Sequence, residues 1–307
     1  MGTLTAQERL AFQDSVRRLL ADRSTEADVR RVMETEAGYD PEVWKALAEI
    51  GAVGVMVDPE YGGAGAGPLE LELVMEEVGA ALLCSPLLSS GVLAAGLLQA
   101  LGDADTNARL LPAIADGSLI ATAALTGPRG TWTPHAVAVQ ARADGEAWRL
   151  DGQASFVTHG QVADLLLVAA NTDAGLAVFQ VEPAGVTVKP LPTFDHTLRL
   201  ADITFDGAPA RRIASKRPAW DAVEEALDLA RIALAGEQAG GGRRVLEFTL
   251  DYAKSRIQFG RAIGSYQAIK HMAADLLLES ESATSAARHA AAQLAAGASD
   301  AKAAVEL

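Results

Sequence analysis

The spacing of apolar residues changes period twice along this chain of 307 residues, and that double switch limits the folds open to it. From Thr5, where Thr-Ala-Gln-Glu8 has the form of a capping box, apolar side chains recur at helical spacing through Leu10, Phe12, Val16, Leu19 and Leu20. The same pattern predicts helices over 41–50, 69–81, 87–101 and 107–115. Near Ile120 the period drops to two. Val137, Val139 and Ala141 alternate, Asp144-Gly145 supplies turn chemistry, and Trp148 and Leu150 resume the alternation, which reads as a hairpin. Short β-rich runs at 165–169, 176–181, 186–191 and 201–205 are punctuated by Gly, Pro, Asn and Asp. After Pro218 the helical period returns, first over 219–255 and then over 265–296. The expected class is α+β: an N-terminal helical domain over 1–118, a middle antiparallel β domain over 119–214 and a C-terminal helical bundle over 215–307.

Composition narrows the partners. A hydrophobic content of 50% with a mean hydropathy of +0.14 belongs to a core-building chain rather than a disordered or fibrous one. The net charge of -14 opposes a nucleic-acid or anionic-membrane surface, so an anionic ligand must be met by local arginines. Cys84 is the single cysteine, which excludes an internal disulfide framework and suits a reducing cytoplasm; a small buried apolar role is the expectation for it. No signal peptide and no apolar run of membrane-spanning length is visible, so the expected location is cytoplasmic. Five histidines lack ligand spacing, and no metal is expected. The loop Pro59-Glu-Tyr-Gly-Gly-Ala-Gly65 follows no buried strand and has the wrong glycine spacing for a phosphate loop, so it reads as an interhelical connection.

The chemistry concentrates in Arg256-Ile-Gln-Phe-Gly-Arg-Ala-Ile-Gly-Ser-Tyr-Gln267, a Gly-broken turn between helical segments. Arg256 offers a planar fork that matches a pyrophosphate bidentately, Gln267 can bond a carbonyl or ribityl edge, and Phe259 and Tyr266 can face an aromatic ring. A flavin dinucleotide has all three features. The segment closely resembles the R-x-x-F-G-x-x-I-x-x-[FHY]-Q stretch of the acyl-CoA dehydrogenase family, and the α, β, α order over the whole chain is similar to that family's architecture.

The resemblance implies FAD between the β domain and the last helices. Leu125-Thr-Gly-Pro128 with Arg129-Gly-Thr131 resembles the family's [LV]-[ST]-E-P-x-x-G-S loop, making Leu125, Thr126 and Thr131 flavin contacts; Gly127 replaces the usual Glu, and Trp132 stands where Asp is typical. Phe156-Val-Thr-His-Gly160 resembles W-I-[TS]-N-G, which puts Phe156 on the isoalloxazine and the Thr158 hydroxyl near N5. In the family the residues matching Arg256, Phe259 and Gln267 reach a neighbouring subunit's flavin, so binding implies at least a dimer. Relatives also continue into two further helices with a Q-x-x-G-G-x-G flavin contact. This chain stops at Leu307, just after a helix start expected at Ser299-Asp300, as either a truncated or a naturally short relative.

The implied reaction removes the α proton of an acyl-CoA thioester while hydride leaves the β carbon for the flavin, with electrons passed on to an electron-transfer flavoprotein. One family position for the base falls on Ala230, so no carboxylate stands there. Asp228 and Arg231 match substrate-contacting positions. Glu237, seven residues beyond Ala230, is the substitute base, with helix packing as its competing role. The Gly240-Gly-Gly242 run inside a helix suggests close helix packing or a kink. Asp195-His-Thr-Leu-Arg199 and Trp148-Arg-Leu-Asp-Gly152 look like the actinobacterial branch, some of whose members act on steroid-derived thioesters as heterotetramers. The homo-oligomeric dehydrogenase therefore competes with a half-site subunit of a heterotetramer, and with a monooxygenase or oxidase on the same fold.

Overall fold

A computed structural model describes residues 4–145, 147–298 and 301–306. The chain packs as two units that interleave in sequence. The first comprises Ala27–Ala66 and Cys84–Ala230, and the second takes Leu4–Glu26, Gly67–Leu83 and the described residues from Arg231 onward.

In the first unit lie α2 (Glu26–Met33, apart from its first residue), α3 (Pro41–Glu49), α5 (Ala95–Leu101) and α6 (Ala104–Ala115). Each start is written locally. Asp40 caps α3 by accepting from the Glu42 amide, with Pro41 in the first turn, and Asp103 caps α6 by accepting from the Thr106 amide. A π-helical turn, Leu88–Ala94, leads straight into α5, so the helix expected over 87–101 is present with a wider first half. The loop at 59–65 holds only a short 3₁₀ turn, as its glycines suggest. Cys84 is buried against Val29 and Val32.

The β strands follow: β1 (Ala121–Ala124), β2 (Gln140–Asp144), β3 (Ala147–Thr158), β4 (Leu165–Thr172), β5 (Gly175–Val181), β6 (Thr187–Leu191) and β7 (Leu200–Arg212). They form one sheet in the order β1-β4-β2-β3-β7-β5, with β6 on β7, and β5 returns to pair with β4 so that the sheet closes on itself. The ladders β2–β3, β3–β7, β4–β5, β5–β7 and β6–β7 are antiparallel. The expected antiparallel sheet carries two parallel additions: β1 runs parallel to β4, and β2 meets β4 in a single parallel pair.

Strand β4 shows why the run Leu165–Ala170 is apolar without alternation. Leu165, Leu167 and Ala169 face a core with Leu98, Leu111 and Ile114 of the helices, whereas Leu166, Val168 and Ala170 point into the closed sheet with Leu150, Phe179 and Ile203. A strand buried on both faces needs apolar side chains at every position.

The second unit holds α1 (Ala6–Arg23), α4 (Pro68–Ala81), most of α7 (Ala219–Ser255), the short strands β8 (Ile257–Gln258) and β9 (Arg261–Ala262), α8 (Gln267–Ala295) and α9 (Ala301–Glu306). The capping box opening α1 is formed in both directions between Thr5 and Glu8. The helix start expected at Ser299-Asp300 lies outside the described residues.

Helices α4 and α7 meet backbone to backbone. A Cβ on Gly236 would fall 2.7 Å from the Glu72 carbonyl oxygen; one on Gly240 would strike the Glu76 carbonyl, and one on Gly79 the Glu237 carbonyl. The glycine run expected to mark close packing does so at Gly240, while Gly242 faces open space. No described helix is long and apolar enough to cross a membrane.

Candidate functional site

Strand β3 ends irregularly, and the irregularity builds the site. Its register on β7 shifts between Ala154 and Val157, and two non-glycine residues there adopt left-handed backbone: Phe156 at φ 57° and His159 at φ 55°. Such conformations cost about 1–3 kcal/mol each and persist only where the surroundings fix them. The fixing contacts are present. The Ser155 amide donates to the Thr126 carbonyl at 2.9 Å, the Thr126 hydroxyl donates to the Ser155 carbonyl at 2.6 Å, and the Thr122 hydroxyl donates to the Thr158 carbonyl at 2.6 Å.

These bonds bring the loop after β1 against the end of β3, so Leu125, Thr126, Phe156 and Thr158 form one patch. Gly130 completes it. Its φ is +66°, and a Cβ there would sit 3.1 Å from the Phe156 ring. Leu125 and Thr126 are buried, the Phe156 ring is 43% exposed, and Thr131 is exposed. Among the described residues the hydroxyls of Thr131 and Thr158 make no hydrogen bond within the protein. The Thr126 proton, by contrast, is committed to Ser155, which leaves that hydroxyl only acceptor capacity. A half-exposed aromatic ring, with hydroxyls free to donate on the same segments, could hold the face and edge of a flavin ring. Gly127 stands in place of Glu for a physical reason: a Cβ would collide with the Ala136 carbonyl and lie 2.9 Å from the Ala138 methyl.

One residue of this patch received no role from sequence reasoning. His159 is buried, and its Nδ1 lies 3.2 Å from the Ser89 hydroxyl. The same hydroxyl lies 3.0 Å from the Pro86 carbonyl. The imidazole Nε2 is buried and has no hydrogen-bond partner among the described residues. Burial, with the Arg199 charge adding to it, pushes the His159 pKa down to about 4, so the ring is neutral. The available signal was the His-Gly pair closing a strand motif, since His tolerates left-handed backbone far better than bulky or β-branched residues do.

In the second unit, Arg256–Gln267 forms its own small structure. Strands β8 and β9 pair across Phe259 and Gly260, and the Arg256 carbonyl accepts from the Ile263 amide at 2.8 Å. The Arg261 guanidinium lies 4.0 Å over the Tyr266 ring, covering one of the faces that sequence reasoning assigned to a ligand. The Gln267 amide contacts His271 Nε2 at 2.9 Å. Arg256 and Gln267 are exposed, and Phe259 is 93% exposed with φ 53°.

On α7, Ala230 is buried in the core of the first unit, so the family's alternative base position is filled by a methyl group. Asp228, Arg231 and Glu237 are partly buried, and each is engaged in a polar or electrostatic interaction within the chain.

The family model for the acyl-CoA dehydrogenase N-terminal domain matches residues 6–118, and the C-terminal domain model matches 220–307. Acyl-CoA dehydrogenase IpdE2 of Mycolicibacterium smegmatis is 32% identical over 279 residues, covering 91% of this chain and 75% of that protein. Acyl-CoA dehydrogenase FadE27 of Mycobacterium tuberculosis is 34% identical over 252 residues, covering 80% and 65%. Among solved structures, the ChsE4–ChsE5 complex of Mycobacterium tuberculosis matches at 30% identity with a TM-score of 0.87, over 99% of this chain and 82% of that one. The Tcur3481–Tcur3483 steroid acyl-CoA dehydrogenase matches at 33% and 0.83, over 97% and 81%. The chain belongs to the acyl-CoA dehydrogenase family and is an oxidoreductase of that kind.

Proposed function

We propose that this chain binds FAD and desaturates an acyl-CoA thioester between its α and β carbons, working in the cytoplasm and passing electrons to an electron-transfer flavoprotein. The observation that carries the reading is the half-exposed Phe156, held in left-handed backbone against Gly130, with Thr131 next to Gly130 in sequence and Thr158 two residues past Phe156, neither hydroxyl hydrogen-bonded among the described residues. FAD, when bound, supplies the hydride acceptor. Phe156 would hold the ring by its face, and the Thr158 hydroxyl would be available to donate to its edge. Leu125 and Thr126 wall the pyrimidine side, and Thr131 serves the phosphate side. Arg256, Phe259 and Gln267 serve the flavin of a neighbouring subunit in a homodimer, homotetramer or heterotetramer.

Asp228 and Arg231 hold the substrate. A Glu237 carboxylate oxygen takes the α proton, which requires it to be desolvated beside the thioester. The steroid dehydrogenase among the similar structures supports a bulky, steroid-derived acyl group as one substrate to test, with glutaryl-CoA, the substrate named for another similar structure, as the short alternative.

A second reading rests on Ala230. With a methyl group in the base position, the chain instead serves as the half-site subunit of a heterotetramer, lending Arg256 and Gln267 to a related partner. The two-protein solved complexes among its relatives are in keeping with this. Purified alone, the dehydrogenase comes off yellow and is bleached by a suitable acyl-CoA. The half-site subunit is colourless and acquires flavin only when co-expressed with its partner. Within the first reading, Glu237→Gln should abolish turnover while keeping flavin bound, and unchanged turnover would remove Glu237 as the base.

A further inference from the structure

Helix α4 carries four glutamates, Glu70, Glu72, Glu76 and Glu77, and all four are buried. Three are accounted for. Arg9 of α1 meets Glu70 at 2.7 Å, Arg17 of α1 meets Glu77 at 2.8 Å, and Glu76 is held by Arg288 of α8 at 2.6 Å and Arg243 of α7 at 2.9 Å. Gln13 of α1 adds a bond to Glu77 at 2.8 Å. Despite its burial, the hydrogen bonds from Arg288 help hold Glu76 below the usual carboxylate range, so it is an anion.

Glu72 differs. It is 0% exposed, and neither carboxyl oxygen has a hydrogen-bond partner among the described residues. It sits one helical turn before Glu76 on the same face, where α7 presses its Gly236 backbone against the Glu72 carbonyl. The arginines within range, Arg243 and Arg288, are spent on Glu76. An ionised carboxylate in that place would face desolvation with no partner and a second anion a turn away, whereas a neutral acid avoids both costs.

We propose that Glu72 is carried as a neutral carboxylic acid in the folded chain and acts as a proton-operated latch on the junction of α1, α4, α7 and α8. Loss of the proton creates a second anion that competes with Glu76 for Arg243 and Arg288 and loosens the seat of α8 and α7 on α4. The other charged groups at this junction, Arg9, Arg17, Glu70 and Glu77, are already paired with one another, and Glu281 beside Arg288 on α8 is a further anion that cannot relieve Glu72. Burial first, and then the Glu76 charge, raises the Glu72 pKa to about 8, which puts the latch near the physiological range.

The sign follows. The folded state keeps the proton where the unfolded chain has lost it, so this contribution to stability is complete below the unfolded pKa of 4.5, declines as pH rises and is gone above about 8. Across that window the folding equilibrium constant falls about tenfold per pH unit through this group alone.

The test compares the full chain with Glu72→Gln, an isostere of the neutral acid, by denaturant unfolding from pH 5 to 9. The difference between the two should widen steadily in favour of the variant as pH rises to about 8 and then level off. Amide exchange around Arg288, corrected for intrinsic rate, should quicken at pH 9 relative to pH 6 in the wild type but not in the variant. A variant less stable than wild type at pH 7, or two parallel stability profiles, would overturn the proposal. If the variant does not fold, infrared spectroscopy of the wild type decides: a protonated carboxylic-acid band that titrates away at alkaline pH supports the latch, and its absence at pH 7 refutes it.

Discussion

The two stretches that carry the flavin signature are built in opposite ways. In the first unit, the loop after β1 and the end of β3 lie about thirty residues apart in sequence, and buried hydrogen bonds lock them together, with Thr126 4% and His159 2% exposed. In the second unit, Arg256–Gln267 is held almost entirely by contacts within itself and leaves Ile257 57% and Phe259 93% exposed. The first surface is finished by its own fold. The second adds little to the stability of its unit, so whatever it gains must come from what it binds. Damage to the first should therefore appear as lost stability, and damage to the second as lost binding.

The largest expected effect tests the binding side. Arg256→Ala removes a charge-assisted bidentate contact and should weaken FAD binding by about a hundredfold, close to 3 kcal/mol, in a flavin titration of the oligomer. Its unfolding midpoint without flavin should not move. A comparable fall in apo stability would erase the contrast between the two stretches.

His159 gives a stability effect of similar size, confined to acid. Its folded pKa lies below the ordinary 6.5, so its contribution is whole above 6.5 and is lost as pH falls through about 4. The wild type should lose about 3 kcal/mol over that window, and His159→Phe should lose correspondingly less, read by denaturant unfolding at stepped pH. Thr126→Val is smaller: the Ser155 carbonyl loses its donor, at about 1–2 kcal/mol of apo stability. Smallest of all, Phe259→Ala should leave apo stability within about 0.5 kcal/mol while lowering flavin retention on a desalting column.

Much of this was legible in sequence. The Thr5 capping box, the long helix after Pro218 and the β4 run each announce themselves through neighbours a few residues away. The motifs of the resemblance could be located, and the structure brings Leu125, Thr126, Phe156 and Thr158 together as one patch. Illegible were the features whose partners arrive from far along the chain. The burial of the α4 glutamates could not be read, because their partners Arg243 and Arg288 lie more than 160 residues away from Glu76. The pairing of β1 with β4 was hidden because Ala-Thr-Ala-Ala has no alternation to read. His159 was passed over because its meaning depends on Ser89, 70 residues earlier.

The backbone contact between α4 and α7 has one more effect. With Gly79, Gly236 and Gly240 seated directly on opposing carbonyl oxygens, these two rods are keyed together like a shaft in its slot, and sliding by one position would drive a side chain into a peptide oxygen. Inserting a single residue after Gly240 would turn the remainder of α7 by about 100° and advance it by about 1.5 Å. Arg256 lies just past the end of that rod, so the direction in which it points is set upstream, at Gly236 and Gly240 of α7 and Gly79 of α4, by hydrogen atoms standing where methyl groups would be.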